Sequence, residues 1–150
     1  MPPLDGLLRR ADALLDRLGG FPPSLRLLMA RVAVAAVFWK SGLTKIASWQ
    51  QTVALFAEEY RVPVLAPELA AWLAAAVELT APALLVLGLA ARLGALSLLG
   101  VTAVIQIFVY PESWPEHLLW AALLTMIVTE GPGRLSLDHL LRTCLLGRRR

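Results

Sequence analysis

Residues 69–90 read LAAWLAAAVELTAPALLVLGLA, and the fold turns on them. A membrane-crossing helix needs about 20 mostly apolar residues. This stretch supplies them with a single ionisable group, Glu78, which follows nine apolar residues and precedes a further apolar run. Pro82, four residues on, cannot donate the N–H that would bond the Glu78 carbonyl, so a bend and a free acceptor are expected there. A soluble protein would bury such a helix only inside a much larger core.

Working outward, three further apolar stretches cover residues 25–43, 94–110 and 115–129. The last two are short, yet short helices span when flanking residues snorkel or the bilayer thins; four spans are expected, with three as the alternative. Hydrophobic residues make up 58% of the 150 and charged residues 17%, with a mean hydropathy of +0.67, which is too apolar for a soluble domain. The fold class is therefore all-α, an integral membrane four-helix bundle with flanking amphipathic surface helices. Its expected parts are an N-terminal amphipathic helix (1–24), the bundle (25–130) and a C-terminal amphipathic helix with a basic tail (131–150). Asp5, Asp12 and Asp16 argue against a cleaved signal peptide, so the first span is expected to persist.

Arg9, Arg10, Arg17, Arg26, Arg92, Arg134, Arg142, Arg148, Arg149 and Arg150 fall on one side of this topology, against Lys45 and Arg61 on the other. Both termini are accordingly expected in the cytoplasm, with the chain in the inner (cell) membrane. Trp39, Trp49, Tyr60, Trp72, Tyr110 and Trp114 fall near span ends or in the far-side loops, where amphipathic rings favour the headgroup layer. Residues 4–18 and 136–146 keep leucines at helical spacing, as surface helices do. The loop 44–67 carries a weaker pattern (Ile46, Trp49, Val53, Phe56, Tyr60), predicting a short outer helix that ends before Pro63.

Composition also limits the chemistry. The single Cys144 cannot form an internal disulfide, and no Cys-x-x-Cys exists for a Zn or Fe–S site. His117 and His139 are expected on opposite membrane faces, about 30 Å apart, so this chain alone offers no bis-His haem site and no metal site. The positive charge suits anionic lipid rather than nucleic acid.

An ionisable group near the bilayer centre costs about 2.5–3.5 kcal/mol on insertion scales, so Glu78 calls for a partner. Arg31 and Lys40 in the first span are the candidates, and the forked guanidinium of Arg31 is favoured. Arg31, Ala35, Phe38, Gly42 and Lys45 share one helical stripe, where Gly42 allows a second helix to come close. Gln106, Glu116 and His117 are expected at the depth of Lys40, lining an outer polar vestibule. Two readings stand: Arg31–Glu78 is a structural pin with Lys40 snorkelling and Gln106 bonding nearby backbone, or these groups border a buried site for a quinone head group, a proton or a small polar ligand. The run Gly131-Pro132-Gly133-Arg134-Leu135-Ser136-Leu137-Asp138 breaks the fourth span and lets Ser136 cap a new helix; with no Gly-Lys-Ser/Thr it is not a phosphate loop.

The order and spacing of these pieces resemble the DoxX family of small four-helix membrane proteins, over roughly residues 25–138. The likeness rests on Arg31 with Phe38, Gly42 and Lys45, on Glu78 with Leu87-Gly88-Leu89, Arg92 and Gly94, and on the Gly131, Gly133, Ser136, Asp138 run. Lys40 and the plain turn 110–115 depart from the family pattern. The resemblance implies a membrane component of a redox-linked, quinone-associated assembly working beside a membrane or cytoplasmic redox protein. The rivals are a non-catalytic anchor for a soluble enzyme and a small-solute transporter, which would need a homo-oligomer to make a pathway.

Overall fold

The computed structural model describes Asp12 and residues 20–147. The amphipathic helix expected over residues 4–18 lies outside the described residues except for Asp12, as do the three terminal arginines. Among the described residues all regular structure is helical. Helix α1 spans Pro23–Ala47, α2 Trp49–Leu55, α3 Pro67–Leu87, α4 Ala91–Val104, α5 Trp114–Glu130 and α6 Leu137–Gly147. A π-helical turn extends α2 over Phe56–Tyr60, another extends α4 over Ile105–Val109, and a 3-10 turn, Pro111–Ser113, leads into α5.

The helix ends follow local chemistry. Prolines open α1 and α3, where their fixed φ suits the first turn and the missing N–H costs nothing. Arg61, in a left-handed conformation, ends the surface helix two residues before Pro63, as its spacing predicts. Helix α3 runs through Pro82 and stops at Gly88 (φ 66°), with Gly88 N–H donating to the Leu85 carbonyl and Leu89 N–H to that of Leu84, a Schellman closure.

Helices α1, α3, α4 and α5 form a ring of neighbours, α1 against α3, α3 against α4, α4 against α5 and α5 back against α1. Ala30, Val34, Ala35, Phe38, Ala81, Leu85, Ala91, Ala95, Leu98, Leu124 and Ile127 fill its centre. Small residues let the helices approach closely: a Cβ on Gly42 would lie 2.9 Å from the Leu79 side chain. The outer faces are as apolar as the interior, with Met29, Leu93, Ile107, Leu118 and Leu119 each more than half exposed. Water would not tolerate so broad an apolar belt, whereas lipid tails cover it at no cost.

Three helices are long and apolar enough to cross a membrane: Pro23–Ala47, Pro67–Leu87 and the continuous Ala91–Val109. The chain is a multi-pass membrane protein. At 17 residues, α5 is shorter, about 25 Å by helical rise. Helix α1 extends four residues past Leu43, where its apolar stretch stops, and this matters for the site.

Candidate functional site

Helix α1 runs antiparallel to α3, and Gly42 fixes their level, because its Cβ position also lies 3.2 Å from the Glu78 carbonyl carbon. Glu78 therefore faces the last turns of α1. Its carboxylate accepts from the Lys45 ammonium at 2.7 Å, and Lys45 also donates to the Ser41 hydroxyl at 2.9 Å. The expected Arg31–Glu78 pair does not form. Arg31 lies eleven residues before Gly42, about 16 Å along the helix, too far from Glu78 to meet it. Lys40 is exposed and, among the described residues, makes no ion pair; its own carbonyl accepts from Thr44.

Around the Lys45–Glu78 pair opens a cavity of about 780 Å³. Its wall is mostly apolar, drawn from all four bundle helices and α2, with polar groups that include Lys40, Ser41, Lys45, Thr52, Tyr60, Glu78, Glu116 and His117. Of the residues expected at this site, Lys40, Glu78, Glu116 and His117 line the cavity and Gln106 does not. Its amide donates to the Pro111 carbonyl at 2.9 Å, and its oxygen lies 2.7 Å from His117 Nδ1. His117 is buried, its ring centroid 5.0 Å from that of Trp120, and Trp120 packs edge-on to Phe38. Trp120 both packs the core and lines the cavity.

Two further residues of the wall, Thr52 and Tyr60, tie its elements together. Thr52 is buried and donates to the Lys45 carbonyl, tying α2 to the end of α1. The Tyr60 hydroxyl lies 3.1 Å from that of Tyr110, so the two π-helical turns meet over the cavity. Burial and then the Tyr110 hydrogen bond push the Tyr60 phenol well above its ordinary range. Both tyrosines were expected near span ends or in the far-side loops, but spacing could not pair them. On the opposite flank, Gly100 lines the cavity, is exposed, and has nothing within 4 Å of where its Cβ would stand. The wall therefore has a gap midway along α4, at the level of the apolar belt.

The remaining motif residues gather at the other end of the bundle. Arg31, fully buried, donates to the Leu85 carbonyl at 3.0 Å, to that of Val86 at 3.5 Å, and to that of Leu135. The carbonyls at the C-terminal end of α3 carry the negative end of the helix dipole and are natural partners for a cation. Gly88 lies beneath it, because a Cβ there would strike the Arg31 guanidinium and come within 2.9 Å of Ser136 Cα. Asp138 bonds the N–H groups of Ala90 at 2.9 Å and Ala91 at 3.3 Å, supplying from α6 the cap that α4 lacks. Ser136 accepts from His139 N–H, as expected of a cap, and Gly133 packs over Leu27 and Ser24. Arg92 lies beside Gly131 and donates to the Thr129 carbonyl. These groups form a knot joining α1, the α3–α4 turn and α6, separate from the cavity.

Comparison with known proteins agrees with the family resemblance. The family model described as DoxX matches residues 26–111, more than half of the chain. No curated protein and no solved structure matches it.

Proposed function

The chain belongs to the DoxX family, and from that premise we propose that it is the membrane component of a redox-linked assembly whose cavity holds the head group of a quinone-class ligand. The observation that carries this reading is the cavity itself. A volume of about 780 Å³ lies within the usual range of small-molecule sites, with a few convergent polar groups set in an apolar wall. The buried Lys45–Glu78 pair supports a polar head, and the gap at Gly100 gives an apolar tail a way out into lipid. The arginine bias supports an orientation with the Arg31 knot toward the cytoplasm of a cell (inner) membrane and the cavity toward the outside, α5 serving as the fourth span.

Titration of the purified protein with a short-chain quinone analogue tests the reading, with Trp120 in the wall as the fluorescence reporter. Saturable quenching is expected in the wild type, with at least about tenfold weaker binding in Glu78→Gln, the size of a lost charged hydrogen bond. Non-saturable quenching, or an unchanged affinity in a folded Glu78→Gln protein, would overturn it.

A second reading, an anchor for a soluble redox enzyme, draws support from α6. Leu140, Leu141 and Leu145 are exposed on a helix tied to the bundle by Asp138. Capture of a partner that survives Glu78→Gln but is lost on deleting residues 137–150 would favour it over the cavity.

A further inference from the structure

We infer that the cavity selects the reduced, hydroxyl-bearing form of its ligand, because a hydrogen-bond relay through Gln106 fixes His117 as an acceptor. This rests on the ligand class proposed above and adds the oxidation state. The relay starts at the Pro111 carbonyl, which can only accept. The Gln106 atom 2.9 Å from it must be the amide nitrogen, since the flipped amide would set two oxygens against each other. The amide oxygen then lies 2.7 Å from His117 Nδ1, and an amide oxygen also only accepts. Nδ1 therefore carries the proton, and in the neutral ring Nε2 keeps a lone pair. Among the described residues no donor meets that lone pair, and His117 lines the cavity.

Lys45 complements it. Two of its three N–H bonds go to Glu78 and Ser41, which leaves the third for a ligand oxygen. A hydroquinone hydroxyl can donate to His117 Nε2 and can also accept from Lys45. A quinone carbonyl can only accept, so it satisfies Lys45 and leaves the imidazole lone pair buried without a partner. An unsatisfied buried polar group weakens binding by about fivefold or more.

The test uses full-length protein in nanodiscs and a short-chain hydroquinone with its matched quinone, titrated anaerobically by calorimetry. The hydroquinone is expected to bind at least about fivefold more tightly. Nitrogen NMR of histidine-labelled protein is expected to show His117 protonated at Nδ1 and bare at Nε2. Gln106→Leu removes the relay and should abolish both the tautomer bias and the preference. Gln106→Glu, whose carboxylate still accepts from Nδ1, should keep both, which separates the relay from a packing role. Equal affinities, or a proton on Nε2 in the wild type, overturn the inference while leaving the cavity reading intact. Binding of neither form overturns both.

Discussion

The Glu78 carboxylate and the Lys45 ammonium lie 2.7 Å apart across α1 and α3, the acid fully buried and the base partly open to the cavity. Removing one member of a buried pair strands the other, at a cost of about 3–5 kcal/mol. Lys45→Met is therefore expected to lower stability by about that amount, and Lys45→Met combined with Glu78→Leu to recover most of it. Denaturant unfolding in detergent measures both. The same cycle run with Arg31 and Glu78 should give a coupling near zero, since Arg31 bonds only the α3 carbonyls and Leu135.

Two glycines should respond to alanine in opposite directions. At Gly88 the backbone is left-handed and a Cβ meets both Arg31 and the Ser136 backbone. Gly88→Ala is expected to destabilise by more than about 1–2 kcal/mol, the left-handed penalty alone. Gly100 is helical with open space beside it, so Gly100→Ala should stabilise by about 0.5–1 kcal/mol. Gly100→Leu, which fills the gap, is expected to weaken binding of a long-tailed quinone analogue while sparing a short-chain one. Paired melting curves and titrations read out both effects.

Asp138 caps a helix that belongs to another part of the chain. Asp138→Ala should cost about 0.5–2 kcal/mol through the freed N–H groups of Ala90 and Ala91. It should also loosen α6, and hydrogen exchange is expected to quicken at Ala90, Ala91 and through residues 137–147. Exchange unchanged at those amides would mean that the cap bears no load.

Tyr60 gives the fold a defined alkaline limit. Its folded-state pKa is raised, so the folded protein holds the phenolic proton after an unfolded chain has lost it. Stability from this group is full below the ordinary tyrosine value near 10 and falls as pH rises past it. Ultraviolet titration should show Tyr60 ionising late. Tyr110→Phe removes the hydrogen bond at 3.1 Å, and the Tyr60 transition is expected to move to lower pH while remaining raised by burial.

The helices were legible in the sequence because lipid demands long apolar runs, and their caps and prolines mark the turns. Part of the cavity lining was named from sequence, since Glu78, Lys40, Glu116 and His117 all reach one cavity, whereas Arg31 and Gln106 do not line it. The partner of Glu78 was not. Hydropathy marks where the apolar run stops, at Leu43, so Lys45 counts as a residue of the outer side although it shares a helical stripe with Gly42 and α1 runs on to Ala47. Pairing also depends on the axial offset between antiparallel helices, set here by the Gly42–Leu79 approach, and one chain's periodicity contains no information on that offset. The Gln106–His117 relay was hidden for a similar reason, because a π-helical turn changes which face Gln106 presents and leaves no mark in residue spacing.

That turn gives the chain a way to evolve. A π turn holds one residue more than the α-helix around it, so loss of a single residue between Ile105 and Val109 could be absorbed by reverting to ordinary α geometry. The ladder of backbone bonds would survive and the residues beyond the turn would keep their faces, while the residues within it, Gln106 among them, would be re-aimed. Descendants of such a deletion would keep the bundle and present a different set of groups to His117. Preference for a ligand could in this way change in one genetic step, with the membrane scaffold untouched.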